Sequence, residues 1–136
     1  MANFPVKLLQ PRHAFLFGAA DAASMEILLR PFLHEGALVD TAIRLDGIAL
    51  PSLHLRELAG QHFVFPLDPE DGSIDGSILL EHAHHPVDVA SLTFHASRDG
   101  ELTVVVKGTY VFDFEGLDDL GKVPFTLAAR VSSCAL

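Results

Sequence analysis

The fold is decided by residues 89–114, whose sequence is VASLTFHASRDGELTVVVKGTYVFDF. In the second half of this stretch, the even positions from Leu102 to Phe114 are apolar except for Gly108, and most odd positions are polar. Successive side chains of a strand point to opposite faces of a sheet, so this period of two predicts a β-strand with one buried side. The first half alternates in a similar way, and its even positions Ala90, Leu92, Phe94 and Ala96 are predicted to share the buried face. The stretch therefore predicts two antiparallel strands joined at Arg98-Asp99-Gly100.

The length of this connection decides which side chains face each other. A two-residue Asp-Gly loop would place Phe94 opposite Val105 and would mix the apolar and polar faces. A three-residue loop of residues 98–100 places Phe94 opposite Val104, so that the apolar partners share one face. A glycine at the last loop position also tolerates the left-handed backbone that such a loop requires. The sequence therefore predicts a hairpin with a three-residue loop.

Shorter apolar runs predict strands on both sides of the hairpin. Residues 74–84 form one of them and give a three-stranded antiparallel sheet with the hairpin. Asp46-Gly47 predicts a turn between two further strands. The other predicted strands are 13–17, 37–45, 48–50, 61–65 and 123–131.

Two segments have the signals of helices. Residues 21–30 begin with Asp21, which can cap a helix, and are followed by Pro31, which ends one; their apolar run also fits a buried strand. Residues 51–60 predict one or two helical turns that end before Gly60. Because strands outnumber helices, we expect a mainly β (α+β) fold. It consists of an antiparallel sheet, curled or two-layered, with one or two short helices.

The chain of 136 residues, 49% of them apolar, is expected to form a single domain over residues 1–136. Residues 1–12 are predicted to be an irregular lead-in, and residues 132–136 a frayed tail that contains the one cysteine, Cys134. We see neither a secretion signal nor an uncharged apolar run of roughly 18 residues. We therefore expect a cytoplasmic protein with no membrane partner.

The net charge of −9 is unevenly distributed. Residues 68–119 contain twelve acidic and two basic side chains, which gives 2 − 12 = −10, while the rest of the chain sums to +1. Nucleic-acid binding requires the opposite sign, so we exclude that class of partner. A negative surface instead favours encounter with a basic protein.

The sequence thus predicts a non-enzymatic protein-binding domain with an acidic surface and with no cofactor, metal or catalytic residue. Small size, acidity and the lack of a catalytic motif are typical of bacterial immunity proteins and inhibitors that neutralise a basic toxin or nuclease. This comparison rests on charge and size alone. The residues predicted to bind the partner are Asp68, Glu70, Asp71, Asp75, Asp113, Glu115, Asp118 and Asp119.

Two alternatives stay open at this point. His82 and His84 are two residues apart near the end of a predicted strand, where both would point to one side, as two metal ligands require. They give the alternative of a metal-binding β domain or a metal-assisted enzyme. The second alternative is a structural subunit that buries an apolar sheet face in a homo-oligomer.

Overall fold

The computed structural model describes residues 5–67, 72–80, 82–97, 99, 101–112 and 121–134. Within these residues the chain forms one 3-10 turn, Val6–Leu8, and one short helix, α1 (Leu55–Leu58). The remaining regular structure is strand, which confirms the mainly β fold. The strands are β1 (Pro11–Ala19), β2 (Ala22–Leu29), β3 (Phe32–His34), β4 (Ala37–Val39), β5 (Ala42–Ile48), β6 (His62–Val64), β7 (Asp75–Leu80), β8 (Ala83–Ala96), β9 (Leu102–Phe112) and β10 (Gly121–Ser133).

Seven of these strands close into a barrel. Their order is β8, β7, β5, β2, β1, β10 and β9, and β9 pairs again with β8. The pairs are antiparallel, as predicted, except that β1 and β10 run parallel. β6 pairs with the second half of β8, and β3 and β4 form a separate two-stranded sheet. The predicted sheet is therefore curled until its edges meet.

The hairpin of β8 and β9 has the predicted register. Phe94 lies opposite Val104, and the amide of Ser97 donates a hydrogen bond of 2.8 Å to the carbonyl of Glu101, which leaves three residues in the loop. The period of two along β9 points one set of its side chains into the core. These buried side chains are Leu102, Val104, Val106, Tyr110 and Phe112.

A β-bulge changes which side of β8 faces inward. The register with β9 shifts between Val89 and Ser91. Before the bulge Val87 and Val89 are buried, and after it Leu92 is buried, whereas Ala90 is exposed. The prediction that Ala90 shares the buried face with Leu92 is wrong, because a bulge inserts one residue and reverses the alternation.

The helix predicted for residues 21–30 is instead strand β2. Its buried side chains alternate with half-buried ones. The strand pairs with β1 on one side and with β5 on the other, so hydrogen bonds of the sheet replace those of a helix. Asp21 and Pro31 flank the strand rather than a helix. The buried side chains are Ala23, Met25, Ile27 and Leu29.

The turn predicted at Asp46-Gly47 is also absent, because both residues lie within β5. Gly47 has a φ of +75°, and the register between β5 and β2 shifts between Ala23 and Met25. A glycine with positive φ at a register shift is typical of a bulge. The Asp-Gly pair therefore bends a strand and does not end it.

Residues 49–60 cover the end of the barrel at which β8 and β10 finish. Leu50, Leu53 and Leu58 from this segment are buried in the core. The segment is tied to the barrel by the Gly60 amide, which donates to the Phe94 carbonyl at 2.8 Å. α1 supplies a helical turn within the range predicted for 51–60. None of the helices formed by the described residues has the length and apolarity needed to cross a membrane.

The described chain continues beyond the predicted end of the fold. Ser132 and Ser133, which the sequence placed in a frayed tail, belong to β10. The hydroxyl of Ser133 donates to the carbonyl of Leu53 at 2.6 Å, and the amide of the exposed Cys134 donates to the carbonyl of Leu16. At the other terminus, β1 already begins at Pro11, inside the predicted lead-in.

Candidate functional site

One of the predicted partner-binding residues lies in the described part of the chain. Asp75 is the first residue of β7, and its side chain is exposed. The structure therefore places Asp75 on the surface, where a partner can reach it. The other predicted residues lie outside the described residues: Asp68, Glu70, Asp71, Asp113, Glu115, Asp118 and Asp119.

Asp75 belongs to a row of three aspartates on the outside of the barrel wall. Asp46 of β5 is its partner in the sheet register. On the other side Gly76 lies opposite Val87, which sets Asp75 opposite Asp88 of β8. Asp75 and Asp88 also line the same recess, which has a volume of about 280 Å³. We call Asp46, Asp75 and Asp88 the acidic row.

Within the described residues, cationic side chains compensate the acidic row at one end only, at Asp46. Asp46 lies 3.1 Å from the guanidinium of Arg44 and accepts a 2.6 Å hydrogen bond from the hydroxyl of Ser24. Among the described residues, no cationic side chain forms an ion pair with Asp75 or Asp88. Within that part of the chain, the exposed Asp75 and the half-buried Asp88 thus have no cation to compensate them.

The histidine cluster is divided between a turn and a strand. His82 lies in the turn between β7 and β8 with a φ of +64°, and β8 begins at Ala83. His84 is exposed opposite Leu79, whereas His85 is buried and lies 3.2 Å from the Leu80 carbonyl through its Nε2. The expectation that His82 and His84 share one strand is wrong, because the chain turns between β7 and β8.

The described residues do not assemble a metal centre around these histidines. No group of three or more histidine, cysteine, aspartate or glutamate side chains within them is close enough to hold an ion. The hypothesis of a metal site at His82 and His84 therefore gains no third ligand from the described part of the chain.

A second recess lies on the side of the barrel formed by β1, β9 and β10. It has a volume of about 600 Å³ and lies between the segment that carries α1, the start of β9 and the end of β10. We call it the basic cleft. Its lining residues are His13, His54, Leu55, Arg56, Glu101, Leu102, Arg130, Val131, Ser132 and Ser133.

The polar groups of the basic cleft form two contacts across strands. The Nε2 of His13 on β1 lies 2.8 Å from the Oγ of Ser132 on β10. Arg130 of β10 lies 2.5 Å from the carboxylate of Glu101, the residue before β9. Sequence reasoning missed both contacts; 119 positions separate His13 from Ser132, and no local pattern connects them.

The loop beside the cleft holds another carboxylate. Asp99 accepts a hydrogen bond from the hydroxyl of Ser97 and one of 3.2 Å from the amide of Glu101. These bonds, followed by the charge of Arg130, lower the pKa of the Asp99 carboxyl. Arg130 therefore has two anionic neighbours, Glu101 and Asp99.

The contact between His13 and Ser132 brings a hydroxyl next to a base, which is one requirement of a serine nucleophile. A complete triad also needs a group that orients the second ring nitrogen of the histidine. Among the described residues, no hydrogen bond joins a carboxylate to His13. The arrangement supports binding of a ligand more directly than covalent chemistry.

Comparison with known proteins found no match among protein families, curated proteins or solved structures.

Proposed function

We propose that the protein is a non-enzymatic binding protein whose acidic surface docks a basic protein, as an immunity protein or inhibitor neutralises a toxin or nuclease. The observation that carries this proposal is the charge of −10 over residues 68–119, against +1 for the rest of the chain. A negative surface accelerates encounter with a cationic partner and disfavours nucleic acid.

The acidic row supports the proposal with a defined geometry. Asp75 has Asp46 on one side and Asp88 on the other, held at the spacing of adjacent strands. Like charges placed directly across a sheet destabilise it, so this arrangement costs the free protein a fraction of a kcal/mol, roughly 0.2–1 per pair. Lysine or arginine side chains of a partner would remove that repulsion. Binding is therefore favoured where folding is slightly disfavoured.

The barrel also favours binding without rearrangement. Asp46, Asp75 and Asp88 are carried by strands β5, β7 and β8, each paired on both sides within the closed barrel. Side chains on a rigid sheet lose less conformational freedom on association than side chains on a loop. The acidic row can therefore present its charges to a partner in one fixed arrangement.

The test is a variant in which Asp75 and Asp88 are both replaced by lysine. We expect it to lose partners that the wild type captures from lysates of the native cells, as quantified by mass spectrometry at low and high salt. Captured proteins should be basic, and their capture by the wild type should weaken with salt, since screening shortens the range of charge attraction.

The matched control replaces Asp21 and Glu57 by lysine. Both are exposed acidic residues outside residues 68–119. Their replacement alters the net charge by the same amount as replacement of Asp75 and Asp88. Loss of capture in the first variant but not in the second supports a local acidic docking surface. Equal capture of basic proteins by all three forms would rule out the acidic row as that surface.

A further inference from the structure

We propose that the basic cleft binds a small organic anion, a molecule with a carboxylate or phosphate head group and an apolar body. This site is separate from the acidic row and does not depend on the proposed docking function. It is built on β1, β9, β10 and the segment that carries α1, whereas the acidic row is built on β5, β7 and β8.

The charge of the cleft is opposite to that of the whole protein. The chain has 18 acidic and 9 basic side chains, but two arginines, Arg56 and Arg130, line the cleft against one carboxylate, Glu101. Glu101 is paired with Arg130 at 2.5 Å. Among the described residues, no ion pair involves Arg56. Arg56 is therefore the cation that remains available to an anionic ligand.

The hydroxyl of Ser132 can supply a hydrogen bond beside this cation. Its Oγ lies 2.8 Å from the Nε2 of His13. When His13 donates through Nε2, the hydroxyl acts as the acceptor and its own proton is free to point into the cleft. Guanidinium and hydroxyl donors together match the oxygens of a carboxylate or a phosphate.

The remaining walls fit an apolar body. Leu55, Leu102 and Val131 line the cleft from three different segments of the chain. The volume of about 600 Å³ lies within the range of roughly 300–1,000 Å³ that is usual for small-molecule sites. A few polar groups on an otherwise apolar recess orient a ligand, and the apolar area supplies most of its affinity.

The test is a titration followed by the amide NMR signals of the isotope-labelled protein. The probes are benzoate and phenyl phosphate, with benzyl alcohol as a neutral molecule of similar shape. We expect both anions to shift signals of Arg56, Leu102 and Ser132 in a saturable way. Benzyl alcohol should bind at least about tenfold more weakly than either anion, because it forms no charge-assisted hydrogen bond with the arginine.

Two arginine variants decide whether the cleft is responsible. Arg56→Gln should weaken binding of both anions by about tenfold. Arg44→Gln is the matched control: this exposed arginine lies on β5, two strands away from β1 and outside the cleft lining, and its loss should leave anion binding unchanged. A spectrum that keeps its dispersion shows that each variant is folded.

The proposal is overturned by any of three results. These are the lack of saturable shifts at the cleft, equal affinity for benzoate and benzyl alcohol, and unchanged anion binding by folded Arg56→Gln. Ser132→Ala adds a second measure. A several-fold loss of affinity supports the hydroxyl as a ligand-binding group, and an unchanged affinity removes it from the site.

Discussion

The acidic row and the basic cleft lie on opposite sides of one barrel and are built in different ways. Counting along the closed sheet, β7 is three strands away from β1 in one direction and from β10 in the other. The acidic row lies where neighbouring strands pair continuously. The cleft lies where β10 ends against the middle of β1 and residues 49–60 cover the barrel.

This difference in construction underlies the different partners proposed for the two regions. A continuous ladder spaces Asp46, Asp75 and Asp88 regularly on a wall, and the recess beside Asp75 and Asp88 has less than half the volume of the cleft, about 280 Å³ against about 600 Å³. Where the pairing of β1 with β10 ends, a larger recess remains, because side chains from three separate segments of the chain meet there. The first arrangement suits the macromolecular partner proposed for the acidic row, and the larger recess suits the small molecule proposed for the cleft.

The largest expected difference between the two regions is in the loss of stability when a glycine in each is replaced by alanine. Gly76 lies next to Asp75, and a Cβ there would collide with the backbone carbonyl oxygen of Val87 and lie 3.0 Å from Leu45. The strands cannot separate without breaking the pairing of β7 with β8. Gly76→Ala should therefore lower the free energy of unfolding by about 3 kcal/mol or more, measured by denaturant titration.

Gly60, which follows α1 near the cleft, is the control for this substitution. Its φ is +79°, but a Cβ would have no neighbour within 4 Å. Gly60→Ala should cost only the strain of a left-handed alanine, about 1–2 kcal/mol. Equal losses for the two variants would contradict the claim that the wall with the acidic row is the more tightly constrained region.

The two regions also differ in how far the sequence predicts them. The register of β8 and β9 follows from side-chain alternation, because the strands are adjacent in the chain and one short loop fixes their pairing. The acidic composition of its segment predicts Asp75 as a partner-binding residue, and the structure places it on the surface. The contact between His13 and Ser132 depends on the parallel pair of β1 and β10 that closes the barrel, and no local pattern encodes that closure.

The errors in the sequence predictions have a common physical cause. Asp21 and Pro31 bound strand β2, but both residue types also begin and end helices, so only the neighbouring strands decide between the two structures. Gly47 and Ala90 lie at bulges, whose positions depend on the partner strand. Local sequence signals thus mark where an element ends or its pairing changes. Tertiary contacts decide whether the result is a helix, a strand, a turn or a bulge.

Tyr110, which is buried in the core, gives the next largest prediction. It lies on β9 opposite Val87 of β8 and Val123 of β10, stacks on Phe125 at 4.3 Å, and is 1% exposed. Within the described residues its hydroxyl has no hydrogen-bond partner. Burial raises the pKa of the Tyr110 hydroxyl well above 10. The folded protein therefore holds this proton when the unfolded chain releases it.

The sign of the pH effect follows from that difference. The stabilisation is complete below about pH 10, where both states are protonated, and is lost as the pH rises above the unfolded pKa. Stability should then fall by up to about 1.4 kcal/mol per pH unit through this group. Because the chain has one tyrosine and no tryptophan, absorbance of tyrosinate should appear only when the protein unfolds.

Tyr110→Phe is the control for this alkaline transition. It removes the titrating group and the unpaired hydroxyl but keeps the ring, so its stability at neutral pH should equal or exceed that of the wild type by about 1 kcal/mol. Its stability should change less above pH 10 than that of the wild type, with lysine titration common to both. Tyrosinate absorbance in the folded wild type near pH 10 would show that the hydroxyl reaches solvent.

The smallest expected effects compare the charges of the two regions directly. Asp75→Asn removes a like-charge contact with Asp88 and should raise the free energy of unfolding by about 0.3 kcal/mol at low salt. Glu101→Gln removes the attraction to Arg130 and should lower it by a similar amount, about 0.3–0.5 kcal/mol, since both side chains of that pair are at least half exposed.

These opposite signs are a sharper test than either magnitude. Both substitutions replace a carboxylate by its amide, so they alter net charge equally and differ only in local surroundings. High salt should reduce both changes towards zero, because screening weakens attraction and repulsion alike. If both variants were stabilised equally, the effect would come from the net charge of −9 rather than from position. The difference between the acidic row and the basic cleft would then have no energetic consequence in the free protein.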